Sequence, residues 1–205
     1  PGPLCSRSAA FFVLMSSQTH RKDAVWLFGQ HAERLISKNI ANLTGQKGRI
    51  MKGNRVVVTG MGAVTPLGLD VDSSWAGICD GRSGAAAIEQ FDAAAFTTRF
   101  SASVKNFSVE GYLETRDARR MDPFIQYGMV AGIQAFRDSG FEVTEANAAR
   151  IGCAIGSGIG GIGSIEDTAM LVDQKGPKRI SPFFVPGAII NMIAGNLSIL
   201  YNLQG

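Results

Sequence analysis

Three features of this 205-residue chain could do chemistry: its thiols, its imidazoles and one glycine-rich turn. The turn, Gly156-Ser157-Gly158-Ile159-Gly160-Gly161, has the spacing G-x-G-x-x-G. Between a strand and a helix, such glycines let a backbone cradle a pyrophosphate at the helix N-terminus. That site also wants an acidic residue about 20 positions on, at the end of a second strand. Here the region is Gln174-Lys-Gly-Pro-Lys-Arg179, a basic loop. The glycines are therefore read as permitting close backbone approach and a sharp turn. A dinucleotide-binding oxidoreductase domain stays as an alternative. Cys5, Cys79 and Cys153 are odd in number and widely spaced. They make neither a zinc pattern nor a disulfide framework, which fits a reducing, cytoplasmic compartment. Cys153 lies in an apolar run with only Arg150 nearby; an apolar site raises a thiol pKa, so it reads as structural, as does Cys79. Both histidines, His20 and His31, fall in the first fifty residues. Residues 51–205 therefore hold no Ser-His or Cys-His pair and no His-ligated metal site.

Charge is uneven along the chain. Residues 1–50 carry seven Lys/Arg against two acids, a net +5, whereas residues 51–205 carry 13 against 15, a net −2. Within that slightly acidic body the cations gather in two places. Arg116, Arg119 and Arg120 precede Asp122, and Lys178 adjoins Arg179. Such clusters are usually solvated faces, but here they could receive a phosphorylated or acidic partner. Aromatic residues are not interleaved with them, which disfavours nucleic acid.

The surrounding pattern supplies elements to hold these groups. Arg55–Thr59 reads as a buried strand ending at Gly60. Asp72 or Ser73 can cap a short helix containing Trp75 and Ile78 and stopping near Gly81. A second strand is expected over Phe100–Val104. The clearest helix is Asp122–Ser139, with Asp122 at the N-cap, Pro123 at the first position and Gly140 at the stop. Its stripe Ile125, Met129, Ile133 and Phe136 buries one face. Ile151–Ile155 reads as an interior strand, Ile162–Lys175 as a helix and Ala188–Leu200 as a very apolar helix. Alternating strands and helices indicate an α/β layered fold. With 18% charged residues and 45% hydrophobic ones, the chain as a whole is not disordered. No run reaches the ~18 apolar residues of a membrane span. Phe183–Tyr201 comes nearest, and Pro186, Gly187, Asn191, Gly195 and Asn196 interrupt it.

Residues 1–50 read differently. Residues 10–15 follow Arg7 and resemble a signal-peptide apolar region, but no clean small-residue cleavage site follows. Residues 24–40 could form an amphipathic helix through Val25, Phe28, Leu35, Ile36 and Ile40. Gln46-Lys-Gly-Arg-Ile50 stands directly before Met51 and can be encoded by a purine-rich stretch like a ribosome-binding site. Met51 is thus expected to be a start, and residues 1–50 a non-native leader or disordered extension.

Residues 51–205 resemble the N-terminal part of the bacterial β-ketoacyl-acyl-carrier-protein synthases of type II, condensing enzymes of fatty-acid synthesis. The resemblance rests on Arg55-Val-Val-Val-Thr-Gly-Met-Gly-Ala-Val-Thr-Pro-Leu-Gly68 and Arg120-Met-Asp-Pro-Phe-Ile-Gln-Tyr-Gly128. It continues through Ile155-Gly-Ser-Gly-Ile-Gly-Gly161, Ile180-Ser-Pro-Phe-Phe-Val-Pro186 and Asn191-Met-Ile-Ala-Gly195. It implies a thiolase-like layered fold, here an incomplete N-terminal half, in a homodimer needing no metal or other cofactor. It implies acyl transfer from acyl-carrier protein to a cysteine, then decarboxylative condensation with malonyl-loaded carrier protein. In the family the nucleophile follows a segment like Tyr201-Asn-Leu-Gln-Gly205, and two histidines lie further on. Neither Cys79 nor Cys153 aligns with that nucleophile, so no catalytic residue carries over and the 205 residues alone are expected to be inactive. What carries over is binding. Ile159, Phe184 and Ile189 match acyl-pocket positions, with Ile159 at the gate. Arg116, Arg119, Arg120, Lys178 and Arg179 match positions that dock the carrier protein. A non-catalytic subunit like a chain-length factor is the main alternative.

Overall fold

The computed structural model describes residues 10–17, 25–28 and 56–205, the first two stretches as backbone only. Three strands form one antiparallel sheet in the order β2-β1-β3: β1 is Ala10–Ser17, β2 Val25–Phe28 and β3 Val56–Val64. Val25–Phe28 is thus a strand where the spacing suggests the start of a helix over 24–40; residues 29–40 lie outside the described residues. β1 pairs with β3 from Ala10 opposite Val64 to Ser17 opposite Val56, with a register shift between Leu14 and Met15.

β3 does not stop at Gly60. It continues through Gly62 to Val64 because these glycines bring the strand onto the backbone of a helix. A Cβ on Gly60 would collide with the Ala135 carbonyl oxygen, and one on Gly62 with that of Ala131. The helix in turn serves the strand: the Met61 amide donates to Asp138 Oδ2 at 2.8 Å and the Ala63 amide to Gln134 Oε1 at 3.0 Å.

α1 spans Val71–Cys79, and its cap is Asp70 rather than Asp72 or Ser73. Asp70 Oδ1 accepts from the Ser73 amide at 2.7 Å and from the Ser73 hydroxyl at 2.6 Å. A reciprocal capping box results. The expected strand over 100–104 contracts to β5, Phe100–Ser101, paired with β4, Ala86–Ala87. Val104 leaves the ladder and is buried in the core.

After a single helical turn, α2 (Thr115–Ala118), the central helix α3 runs Pro123–Ser139. Its ends match the sequence reading: Asp122 accepts from the Phe124 amide at 3.2 Å, Pro123 opens the helix, and Gly140 closes it at φ 59°. Ile125, Met129, Ile133 and Phe136 are buried, but so are Tyr127, Val130, Ala131 and Ala135. The helix is covered on several faces, not one.

α4 spans Ile162–Lys175 as expected. The apolar segment expected as one helix over 188–200 divides into α5, Phe184–Ala188, and α6, Met192–Tyr201. The break has a local cause. The Ala188 carbonyl, which would accept from Met192 in a continuous helix, instead accepts from the Gly161 amide at 2.8 Å. Ile189 is then extended, at φ −80° and ψ 145°. α6 seats Ile193 against Gly128 and Leu197 against Gly132 of α3, where any Cβ would overlap those side chains. Phe136 and Tyr201 stack with centroids 3.9 Å apart. Ile151–Ile155 is not a strand. Ile151 is buried, and among the described residues its carbonyl accepts from the Gly205 amide at 2.9 Å, whereas a ladder needs a neighbour along its length.

Candidate functional site

Of the residues singled out in the sequence, Ile159, Phe184, Ile189 and Arg120 meet at one junction through backbone contacts. The glycine-rich turn leads into α4, and Gly160 takes φ +86°. A Cβ there would sit 2.7 Å from the Ala188 carbonyl oxygen and 2.9 Å from Ile190 Cγ2. The turn bearing Ile159 is therefore pressed against the segment bearing Ile189. Phe184 opens α5, and Ile189 follows its last residue. Phe184 is half-buried, whereas Ile159 is 62% and Ile189 40% exposed.

The other side of α5 carries the arginine segment. Gly187 packs on the Arg120 carbonyl, leaving no room for a side chain, and the Gly187 carbonyl accepts from the Asp122 amide at 3.0 Å. The Arg120 guanidinium lies 4.1 Å from the centroid of the Phe183 ring, a cation–π contact. Arg116 lies in α2, Arg119 caps it, and both are exposed. Lys178 and Arg179 occupy a 3-10 turn, Pro177–Arg179, after α4, and are exposed too. None of these five cations is ion-paired with a carboxylate among the described residues.

Asp122 ties these pieces together. One carboxylate oxygen caps α3 through the Phe124 amide. The other accepts from the Ser164 amide at 3.2 Å and the Ser164 hydroxyl at 2.7 Å, in the first turn of α4. Sequence reasoning identified Asp122 only as the cap of its own helix; its second role depends on a contact 42 residues away. That role also explains why the glycine pattern makes a poor phosphate cradle. The position where a helix N-terminus would draw an anion already holds a carboxylate from the same chain. The Gly161 and Gly160 amides are spent as well, on the Ala188 carbonyl and on the Ser157 hydroxyl at 3.2 Å.

A cleft of about 330 Å³ opens beside this junction. Arg120 and Asp117 supply polar groups to its wall, and Met121, Phe183, Met192 and Leu200 supply apolar ones. Ile159, Phe184 and Ile189 do not line it. Among its lining residues the sequence singles out Met129 as a core position and Arg120 as a docking cation, and it does not foretell the cleft.

The thiols stay apart from the junction. Cys153 is packed against the core, and burial pushes its thiol up to about 11, with a hydrogen bond to Ser198 opposing that shift. Cys79 is exposed on α1. Among the described residues, no group of three His, Cys, Asp or Glu side chains could hold a metal ion. Among them, too, no helix is long and apolar enough to cross a membrane.

Residues 53–205 match the family described as beta-ketoacyl synthase, N-terminal domain. The 3-oxoacyl-[acyl-carrier-protein] synthase 2 of Vibrio harveyi is 56% identical over 155 residues, covering 76% of this chain and 37% of the relative. The Vibrio cholerae enzyme of the same name is 57% identical over the same coverage. The chain thus spans about 37% of the length of the curated relatives it matches. Among solved structures, a beta-ketoacyl synthase from Burkholderia phymatum superposes with a TM-score of 0.60 at 26% identity, covering 73% of this chain and 37% of that one. A type II polyketide-synthase acyl-carrier protein in complex with its ketosynthase superposes at 0.59 and 27%, covering 72% and 39%. The elements within residues 53–205 belong to the thiolase-like fold of these ketosynthases; β1 and β2 lie outside the matched residues.

Proposed function

Because the chain belongs to the β-ketoacyl synthase family, we propose that it is the acyl-binding and carrier-docking portion of a 3-oxoacyl-acyl-carrier-protein synthase of fatty-acid elongation. The activity of the whole enzyme is decarboxylative condensation. A thiolate takes the acyl chain from its carrier, malonyl-carrier protein loses carbon dioxide, and the resulting carbanion attacks the thioester. Residues 51–205 supply neither that thiolate nor an imidazole to stabilise the enolate. Cys153 is packed against the core with its thiol pushed up to about 11, Cys79 stands apart from the junction on α1, and histidine is absent from those residues.

The observation that carries the reading is the joining of Ile159, Phe184 and Ile189 to the arginine segment through α5. An acidic carrier protein docked on Arg116, Arg119 and Arg120 would stand next to the apolar residues that receive its acyl chain. Lys178 and Arg179 extend the cationic surface after α4. Charge of this kind governs encounter rate and orientation, so binding is expected to weaken as salt is added. We place the protein in the cytoplasm and its acyl pocket at a homodimer interface, where the exposed Ile159 and Ile189 would be covered.

The test is a titration of purified chain with acyl-loaded carrier protein, followed by a condensation assay with malonyl-carrier protein. Saturable binding that weakens with salt, and no 3-oxoacyl product, is the expected result. Absence of binding at low ionic strength would overturn the docking assignment, and product formation would overturn the division of catalytic labour.

A further inference from the structure

The Asp122 carboxylate joins the N-termini of two long helices, α3 and α4. We propose that Asp122 is a positioning residue for the Ile159 turn: its carboxylate clamps the start of α4 to the start of α3 and thereby sets where Ile159 stands relative to α5. The inference deepens the acyl-binding reading above and, for its functional half, rests on it.

Four observations converge. Ser164 uses both its amide and its hydroxyl on one Asp122 oxygen, so α4 enters at a defined angle and distance from α3. Gly161, one residue after the turn's tightest point, is buried, and a Cβ there would reach within 3.0 Å of Asp122 Oδ2. The turn, the clamp and α5 are therefore packed at backbone distance. The Asp122 amide is itself bound to the Gly187 carbonyl, so the clamp is anchored to α5 as well. Finally, Arg120 lies two residues before Asp122 and rests on Phe183, so the clamp also sits between the docking cations and the turn. By contrast Ile159 is mostly exposed and Gly158 has open space around it. The tip of the turn is open, and its base is held.

A carboxylate suits this task better than a neutral acceptor. It accepts from both helix starts without offering a competing donor, and each N-terminus carries partial positive charge. Asparagine would keep one acceptor oxygen but present an NH₂ group to one set of amides. Alanine would keep neither interaction.

The test uses the whole chain and three substitutions, Asp122→Ala, Asp122→Asn and Ser164→Ala, with two readouts. Deuterium exchange of residues 157–164 reports the clamp directly. The ratio of affinities for long-chain acyl-loaded and unloaded carrier protein reports acyl positioning. Asp122→Ala should speed exchange across 157–164 by about tenfold, the scale of losing a hydrogen bond to a charged group. The affinity ratio should fall towards one, while affinity for unloaded carrier changes less than about twofold. Asp122→Asn should lie between Asp122→Ala and the parent. Ser164→Ala removes the hydroxyl bond but keeps the amide one, so it should speed exchange at 157–164 by less than Asp122→Ala and leave exchange in the first turn of α3 unchanged; it carries the test if Asp122→Ala does not fold. Unchanged exchange at 157–164 in Ser164→Ala would overturn the proposal. So would an unchanged affinity ratio accompanying faster exchange. If the parent chain binds neither form of carrier, the docking reading fails, and the exchange result alone decides the clamp.

Discussion

At the scale of single residues, two groups with opposite pKa shifts make separable predictions. Cys153 is buried as a neutral thiol and titrates near 11 rather than 9.0. With Cys5 replaced by serine, a thiol reagent at neutral pH should label the exposed Cys79 quickly and Cys153 only on unfolding; rapid labelling of both would contradict the burial. Because the folded-state pKa is raised, this thiol supports stability fully below about pH 9, and that support is lost as pH climbs towards 11. Asp70 behaves the other way. Hydrogen bonds from Ser73 hold its carboxyl below 3.8, so its contribution is present above that value and lost as pH falls beneath it. Denaturant midpoints of Cys153→Ala and Asp70→Asn against pH would separate the two limbs: the first should flatten the alkaline limb and the second the acid limb. The inert character of Cys153 is legible in the sequence, since an apolar run with only Arg150 nearby buries the thiol and raises its pKa. The second bond of Asp122 was not, because its partner Ser164 is distant in sequence and carries no motif of its own.

At the scale of elements, glycine decides how closely the layers approach. β3 lies on α3 at Gly60 and Gly62, and α6 lies on α3 at Gly128 and Gly132. Gly62→Ala should cost at least the ~1–3 kcal/mol typical of overpacking, since the obstacle is the Ala131 carbonyl and not a movable side chain. Leu197→Ala, which empties a fully buried site opposite Gly132, should cost about 2–5 kcal/mol. Chemical denaturation of both variants checks these values, and a loss below ~1 kcal/mol for Leu197→Ala would show that α6 is not docked as described. The sequence conveyed α3 and α4 well because capping residues and helical period are local signals. It misplaced the end of β3, where glycine signalled close approach rather than termination. It also missed the break between α5 and α6, which depends on the Gly161 amide capturing the Ala188 carbonyl from outside the segment. The reading of 151–155 as a strand failed for a related reason: β-branched and apolar residues favour a strand, but only a paired neighbour makes one.

At the scale of the whole molecule, exposed apolar surface adjoins part of the cationic surface. The cations of the body gather near α2 and after α4, while Ile189 and Ile190 are exposed beside α5, and Ile199 (79%) and Leu200 (51%) on α6. Exposed apolar area of this kind seeks a partner. The chain is expected to self-associate with rising concentration, and replacing Ile199 and Leu200 with lysine should suppress that association; sedimentation showing a monomer at high concentration would contradict it. The family and the two cationic clusters could be read from ordered motifs along residues 51–205. The junction of the arginine segment with the Ile159 turn could not, since it is assembled by α5 from segments that are remote in sequence. The central claim is that these cations dock an acidic carrier protein beside an acyl-binding turn. Its most direct test is the affinity of acyl-loaded carrier protein for the parent chain and for an Arg119→Glu, Arg120→Glu double variant, each over a range of salt. The account predicts binding at least about tenfold weaker in the variant, with a flatter salt dependence. Equal affinities with equal salt slopes would contradict it.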